Sequence, residues 1–457
     1  MSIITGILGT ESMSANRFKS IRREVAYQYP NGAAPLNAIL SMLDDESLND
    51  PEFKQFEKRL QLQQTTTASA NAAGPFTTSG GDVDSTAAGF NLAADGAIRL
   101  KVASTERFRV GHVLEIRDVP NGAASALMTL RFKVITITAA TKLELKALEA
   151  YNSISNDTDA NSLTVNVIGT AFAQGAVGSS DAPYETPLDT LNYAQIFRTK
   201  FSFTGTQLKT SLIFDETGPY ADKAKDASLM HAIEMEKAFI FGVRSKTVDG
   251  TSNLPTYTTG GILWWLKQWE LGRAANGGEF EYRPTGSDVT AAADSTDDKR
   301  IIANSTGKIS LKTLEGYWER AFRSTSNKSA EKLVLCGSGA LSTFNQLYQG
   351  KLVQQTGPMA EGGFGMRFTS QMTPHGDLFF KTHPLFTQDP VLRYAALVLD
   401  VGNLKYRYVD GRDTEILENR QANDADYRTD EWLSEAGLEV LYPESHMFLQ
   451  NLTQAIN

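Results

Sequence analysis

One long stretch decides the fold, Asp222-Lys-Ala-Lys-Asp-Ala-Ser-Leu-Met-His-Ala-Ile-Glu-Met-Glu-Lys-Ala-Phe-Ile-Phe241. Three apolar residues and one glutamate share a face at helical spacing: Leu229, Ile233, Glu236 and Ile240. The apolar side is widened by Met230, Met235 and Phe239. The pattern predicts a single helix from Asp222 to Phe241 that ends at Gly242. We expect Leu229, Ile233 and Ile240 to be buried against a long sheet.

The segments on either side of this helix predict a mixture of strands and helices. Before it, residues 192–214 predict long strands. After it, Gly261 to Leu271 predicts a shorter helix whose three tryptophans suit packing in the core or between subunits. From Leu311 onward two patterns alternate: helices at Leu311 to Phe322 and Ser338 to Tyr348, and strands at Lys332 to Leu335, Asp377 to Lys381, Ala395 to Leu399 and Leu404 to Val409. This is an α+β layout.

The chain changes character between about residues 92 and 173. Short segments with alternating apolar residues, such as Leu163, Val165 and Val167, are separated by turn residues. The pattern predicts a separate all-β module, a compact barrel or sandwich, inserted between helical regions. Residues 64–90, just before it, are a low-complexity run of Thr, Ala, Ser and Gly that predicts an extended arm or linker.

The N-terminal region contains two short apolar stripes. Residues 1–34 are predicted to be poorly structured, and Pro35 begins a predicted helix. A second helix is predicted where Asp50 can cap and Pro51 suits the first helical position. The stripes consist of seven residues: Leu36, Ile39, Leu40 and Leu43, then Phe53, Phe56 and Leu60. Two short helices bury too little to fold alone, so we expect these stripes to dock on the subunit's own body or on a neighbour.

The composition limits the classes of function. The 457 residues suggest two to four modules, and the 41% hydrophobic and 21% charged residues are typical of a folded protein. A net charge of −9 gives no basic footprint for nucleic acid and no polybasic membrane patch. Neither a targeting segment nor an apolar run of about 20 residues is visible, so we expect the protein in the cytoplasm. The lone Cys336 excludes an intrachain disulfide and fits a buried thiol in a reducing compartment.

Candidate chemical sites in the sequence are weak. Glu361 to Gly365 is glycine-rich but lacks the Lys-Ser/Thr pair of a phosphate-binding loop. His375 and His383, near Asp377, are separated by a predicted strand and suit ordinary hydrogen bonds better than a metal site. Ser338 follows a strand, as a nucleophile would, but it is predicted to cap the next helix. We therefore expect no catalytic, cofactor-binding or metal-binding residues.

A family resemblance is visible in segments that follow one another in this order: Pro35 to Leu43, Asp50 to Leu60, Asn192 to Arg198, Phe203 to Thr206, Ala232 to Gly242, Thr259 to Leu263, Asp426 to Val440 and His446 to Leu452. Together they resemble the major capsid proteins of tailed bacteriophages with the Hong Kong 97-type fold. The match covers most of the chain except about 90–175 and 275–305. One departure is Gln55, where the family often has an aromatic residue.

The resemblance implies an α+β Hong Kong 97-like capsid fold with an inserted all-β domain. The implied domains are an N-terminal arm (1–62), an extended loop (63–210) that contains the insertion (92–173), a P-domain (211–310) with its spine helix (222–241), an A-domain (311–425) and C-terminal strands that return to the core (426–457). In such a subunit the seven apolar residues of the arm, Leu36, Ile39, Leu40, Leu43, Phe53, Phe56 and Leu60, are expected to make intersubunit contacts.

The implied function is that of a major capsid protein that self-assembles into the icosahedral or prolate head shell around the phage genome. Its expected partners are copies of itself in hexamers and pentamers, portal and scaffolding proteins, packaged double-stranded DNA through non-specific contact, and a decoration protein, with no membrane. It would be part of the virion and be assembled in the cytoplasm of the bacterial host. Two alternatives stay open from the residues: another virion protein, such as a decoration or tail subunit, and a cytoplasmic enzyme with an unrecognised site.

Overall fold

The computed structural model describes residues 34–41, 43, 45–58, 64–68, 74–78, 81–82, 90–121, 127–155, 163–175, 187–210, 219–250, 253–275, 299–303, 308–323, 331–348, 361–362, 366–367 and 369–456. The chain divides into two compact units. Unit 1 contains the residues up to Glu57 and those from Asp189 onward, and unit 2 contains Lys58 to Leu188. The sequence of unit 2 therefore interrupts that of unit 1.

The predicted helices of unit 1 form in the predicted order except the second arm helix, whose segment is a strand. The α-helices of its described residues are Pro35–Leu40, Gly205–Leu208, Pro219–Phe241, Ile262–Ala275, Leu311–Arg323, Ser338–Tyr348 and Pro384–Gln388. Short 3-10 turns lie at Leu392–Tyr394, Val401–Asn403 and Pro443–Ser445. We call Pro35–Leu40 the arm helix and Pro219–Phe241 the spine helix. Among these described residues no helix is long and apolar enough to cross a membrane.

Two larger sheets organise the same unit. The first has the order Asp45–Leu48, Leu404–Val409, Tyr427–Val440 and Gln195–Thr204, with Glu415–Leu417 also paired to Tyr427–Val440. The second has the order Ile301–Ala303, Met447–Gln450, Ala396–Leu399, Glu331–Cys336, Gly376–Thr382 and Thr369–Thr373. The two-stranded pairs are Glu52–Glu57 with Leu188–Tyr193, Ser245–Val248 with Pro255–Thr258, Lys308–Ser310 with Gln454–Ile456, and Glu361–Gly362 with Met366–Arg367.

The spine helix forms as predicted, but a different stripe of it is buried. Leu229 and Ile233 are only half-buried, whereas Ile240 is fully buried as expected. The buried residues are Ala227, His231, Met235, Glu236, Phe239 and Ile240. His231 sets this orientation, because its ring bonds Thr199 on one strand (3.0 Å) and Ser434 on the next (2.8 Å). Burial lowers the pKa of His231, which keeps the ring neutral between the two hydroxyls.

Unit 2 is an all-β module, as predicted. Its larger sheet has the order Gln64–Thr66, Thr164–Thr170, His112–Pro120, Leu127–Ala139, Lys142–Ala147, Ala97–Lys101, Phe76–Thr78 and Gly81–Asp82. Tyr151–Ile154 pairs separately with Phe90–Leu92. The sheet extends beyond the predicted 92–173: the described parts of 64–90 supply strands instead of a linker. Threonine is a good strand former, and pairing with the module gives these short segments their backbone partners.

Candidate intersubunit contact site

The arm helix, which was predicted to make contacts between subunits, lies in the core of its own unit. Leu36, Ile39 and Leu40 pack in one cluster with Met235 and Phe239 of the spine helix. Leu43 is partly buried against the same cluster. Leu36 and Leu40 keep at most 1% of their surface exposed, which leaves a neighbouring subunit almost nothing to contact. Truncating the arm would therefore open the core of unit 1 instead of leaving a folded subunit.

A buried carboxylate on the spine helix holds the first turn of the arm helix. Glu236 accepts a hydrogen bond from the Leu36 N–H through Oε1 (2.8 Å) and another from the Asn37 N–H through Oε2 (2.7 Å). Pro35 has no N–H, so these are the first two free donors of the arm helix. The negative charge also suits the positive end of a helix. Glu236 thus acts as an N-terminal cap supplied from about 200 residues away in the sequence.

His383 completes this arrangement, which we call the Glu236 clamp. Its Nδ1 accepts a hydrogen bond from the Leu385 N–H (3.2 Å), so Nε2 bears the proton and donates it to Glu236 Oε1 (2.9 Å). Both side chains are fully buried. The clamp therefore joins three separate segments: the arm helix, the spine helix and the short helix Pro384–Gln388. His383 is accordingly a structural residue, in agreement with the ordinary hydrogen bonding expected from the sequence.

The segment after Asp50 is a strand, so the prediction of a second arm helix was wrong. Glu52–Glu57, which we call the arm strand, pairs with Leu188–Tyr193. Its side chains alternate: Phe53 and two polar residues point inward, while Phe56 is 68% exposed. The strand pairing supplies backbone partners that an isolated two-turn helix would lack. Leu60, the last residue of the predicted stripe, lies outside the described residues.

Two inward residues of the arm strand bind the end of the C-terminal strand and the residues that follow it. Gln55 Nε2 donates to the carbonyl of Val440 (2.6 Å), and Glu57 Oε1 accepts from the Tyr442 N–H (2.9 Å). Phe53 covers Gly437, where an added Cβ would lie 2.8 Å from its ring. A phenylalanine at position 55 would have no donor for the Val440 carbonyl. The departure from the family pattern at Gln55 therefore has a defined structural role here.

Asn192 makes a second buried connection from a segment that the family resemblance had marked. Its Nδ2 donates to the carbonyls of Leu438 (2.7 Å) and Gly260 (3.1 Å), and its Oδ1 accepts from the Gly260 N–H (2.8 Å). The side chain is completely buried. It therefore joins the end of strand Leu188–Tyr193, the turn before helix Ile262–Ala275 and the C-terminal strand.

The last part of the C-terminal strand Tyr427–Val440, from Ala436 onward, presents apolar residues on one face, and the strand carries carboxylates on the other. Ala436, Leu438 and Val440 pack in the cluster that contains the spine helix. On the opposite face the carboxylates bind arginines of neighbouring segments: Glu431 with Arg198, Glu435 with Arg412, and Glu439 with Arg407. The hydrogen bonds from Arg198 hold the pKa of Glu431 below its usual range. The sheet is consequently held by packing on one side and by ion pairs on the other.

The remaining candidate residues of the sequence have structural surroundings. Cys336 is buried, and burial raises the pKa of its thiol to about 12, so it is not a thiolate at neutral pH. Trp265 and Trp269 are buried, and the guanidinium of Arg244 lies 4.9 Å from the ring of Trp264. Ser338 is the first residue of its helix and not the cap before it. Across the described residues, no cluster of three or more His, Cys, Asp or Glu side chains could hold a metal ion.

The comparison with protein families gives the architecture its identity. A family model described as "SU10 major capsid protein" matches residues 12–453. The chain belongs to this family. The curated major capsid protein of Pseudomonas phage PaMx41 is 25% identical over 483 residues, which cover 100% of this chain and 97% of that relative. The predicted family and function are confirmed: the protein is a phage major capsid protein, a shell-forming component of the virion.

Two solved structures show a loose similarity to this capsid protein. The cyanophage A-1(L) capsid asymmetric unit matches with a TM-score of 0.40 and 13% identity, over 63% of this chain and 85% of that chain. A structure from Mycobacterium phage Bobi matches with a TM-score of 0.42 and 7% identity, over 95% of this chain and 93% of that chain. The α+β layout predicted from the sequence is confirmed by the helices and sheets of the described residues. Similarity this loose assigns no role to individual residues.

One feature of the sequence pointed to the Glu236 clamp. Glu236 was counted on the apolar face of the spine helix, and a carboxylate among apolar side chains needs a partner when it is buried. What no sequence pattern indicated was that the partners would be the arm helix and His383. Asn192 gave no signal beyond its place in a segment that resembles the family.

Proposed function

We propose that this capsid protein closes its shell as hexamers and pentamers, and that Phe56 of the arm strand contacts a neighbouring subunit. The proposal is supported by the exposure of the Phe56 ring on one face of the strand, while the opposite face is buried against the same subunit. Phe53, Gln55 and Glu57 are buried against the same subunit, and Phe56 points away from them. Burying a phenylalanine side chain in a protein contact is worth about 2 kcal/mol. Repeated around a shell, that contribution favours assembly.

The arm strand is held firmly enough to present Phe56. The Glu236 clamp fixes the arm helix at one end, and Gln55 and Glu57 bind the backbone of Val440 and Tyr442 at the other. A contact residue on an element fixed in this way loses little conformational entropy when the neighbour binds. Of the seven predicted contact residues, Phe56 is the described one that has a large surface to offer.

The other expected partners belong to the same proposal. As a major capsid protein, the chain would meet a portal and scaffolding proteins during assembly in the host cytoplasm, and packaged double-stranded DNA and a decoration protein in the finished icosahedral or prolate head. Its role would be structural and not enzymatic, with buried groups such as Glu236 and His383 holding segments together. The P-domain and A-domain boundaries at 310 and 425 remain predictions.

The substitution Phe56→Ser tests the contact. Because the ring is exposed in the isolated subunit, we expect the unassembled protein to melt within about 1 °C of the parent. Shell formation, measured by gradient sedimentation and electron microscopy, should fall several-fold. A matched control is Val391→Ser, which removes another exposed apolar side chain, 81% exposed, from the same unit. Normal yields of shells from Phe56→Ser would show that Phe56 makes no productive contact.

A further inference from the structure

One face of the larger sheet of unit 2 is rich in basic side chains. The strands send alternate residues inward to an apolar core that includes Leu100, Phe132 and Leu145. The outward positions between them include Arg99, Lys101, Arg131, Lys133, Lys142 and Lys146. We call these six residues the basic face. Two of the six already face carboxylates: Arg131 lies 3.4 Å from Glu115 and 3.6 Å from Glu149, and Arg99 stands opposite Glu144.

The strand register places like charges opposite each other. Lys142 pairs with Lys101 on one neighbouring strand, and Lys146 pairs with Lys133 on the other. Like charges directly opposite across antiparallel strands destabilise a sheet. Lys146 is relieved by Asp95 at 2.9 Å. Among the residues that the structure describes, Lys133 and Lys142 have no carboxylate within salt-bridge distance. The face therefore costs folding stability that an acidic partner would return.

Unit 1 contains an exposed segment of the opposite charge. Residues 410–426, which we call the acidic segment, include six exposed carboxylates: Asp410, Asp413, Glu415, Glu418, Asp424 and Asp426. Its two basic residues are Arg412 and Arg420, and Arg412 is bound to Glu435 of the C-terminal strand. Glu415 lies on the short edge strand Glu415–Leu417, so part of this charge is held on the five-stranded sheet.

We propose that in the shell the basic face of one copy docks on the acidic segment of a second copy. A shell subunit meets other copies of itself on every side, so complementary surfaces on one chain have a partner at fixed stoichiometry. Electrostatic complementarity of this kind selects the correct register and accelerates encounter. Packaged DNA is a less suitable occupant, since a chain with a net charge of −9 repels it as a whole. The inference rests on shell assembly and is independent of the proposed role of Phe56.

Two charge reversals in the full-length protein test the contact. In Lys133→Glu/Lys142→Glu the new carboxylates stand opposite Lys146 and Lys101, so the unassembled subunit should melt at or above the parental temperature. Its shell yield should nevertheless fall at least tenfold. The complementary variant Glu415→Lys/Asp424→Lys should show the same loss. The control Lys209→Glu/Lys312→Glu makes the same change in net charge as Lys133→Glu/Lys142→Glu, but at exposed positions of unit 1, and should assemble normally.

Co-expression of the two reversed chains decides whether the contact joins different copies. Each chain alone repels its own kind, but in a mixture the acidic face of one meets the basic segment of the other. We expect shells containing both chains to return to at least a third of the parental yield. The yield of parental shells should also fall as the NaCl concentration is raised, because salt screens exposed charges. Normal assembly of either reversed chain, or no recovery on co-expression, would overturn the proposal. Loss of bound DNA without loss of shells would overturn it in favour of nucleic acid.

Discussion

Each of the two units of this capsid protein is stabilised internally by a different kind of buried side chain. Unit 2 has a largely apolar core, and two charged or ionisable side chains that it buries, His112 and Glu115, bond residues no more than 16 positions away. Unit 1 has apolar clusters too, but it also buries Glu236, His383, Asn192 and Lys332, and each of them connects segments that are far apart in the sequence. Unit 2 is one continuous stretch of chain, whereas unit 1 must collect its arm, spine helix and C-terminal strands from both sides of the insertion.

The difference suggests a division between stability and specificity. Apolar contacts are non-directional, so they stabilise unit 2 without distinguishing one partner closely from another. A buried carboxylate is costly unless every partner is in place, so the Glu236 clamp favours a single position of the arm helix. The arm strand, in which Gln55 and Glu57 flank Phe56, is connected to the body by the same kind of directional bond.

Of the substitutions proposed here, Glu236→Ala should lower the stability of unit 1 the most. It leaves the Leu36 and Asn37 N–H groups and the His383 ring without their acceptor in a buried site. We expect the unfolding free energy of unit 1 to fall by about 4 kcal/mol, with unit 2 unaffected, measured by denaturant unfolding of the unassembled subunit. Glu234→Ala, an exposed position on the same helix, should cost little. If Glu236→Ala and Glu234→Ala lowered the unfolding free energy equally, the Glu236 clamp would have no special role in stability.

Leu114→Ala tests the contribution of apolar packing to the stability of unit 2. Leu114 is fully buried in the core of unit 2, and the cavity left by its removal should cost about 3 kcal/mol. The loss should appear only in the unfolding of unit 2, followed by hydrogen exchange of its strands. The control Leu127→Ala removes a leucine that is 65% exposed. If Leu114→Ala also unfolded the spine helix at the same denaturant concentration, the two units would not be separate in stability.

The buried lysine of unit 1 predicts a smaller, pH-dependent effect. Burial lowers the pKa of Lys332 to about 8 from its ordinary value, and its Nζ donates to the Ser445 carbonyl at 2.7 Å. Since the folded state disfavours the charged form, the stability of unit 1 should rise as pH increases from 8, where the folded state begins to release the proton that the unfolded chain still holds. We expect a gain of about 2 kcal/mol between pH 8 and 9.5 relative to Lys332→Met. Parallel pH profiles of the two proteins would contradict this pKa.

The arm helix and the arm strand show where prediction from sequence succeeded and failed. Pro35 gave the start of the arm helix correctly, because proline favours the first helical position wherever the chain goes afterwards. Phe53 and Phe56 also have helical spacing, but the residues actually buried are Phe53, Gln55 and Glu57. Two of these are polar, so their alternation could not be recognised from hydrophobicity. Pairing with Leu188–Tyr193, more than a hundred residues away, decided between strand and helix.

The sequence by itself determined the helix and strand order of unit 1 after the arm strand, the all-β character of unit 2 and the family, because these depend on local periodicity and on the order of segments. Only the tertiary structure decided which stripe of the spine helix is buried and which residues hold the arm. The spine helix has apolar residues on more than one side, and its orientation follows from His231 bonding Thr199 and Ser434. Such choices depend on the distance between atoms that the sequence separates by up to about 200 positions, and no local pattern contains that distance.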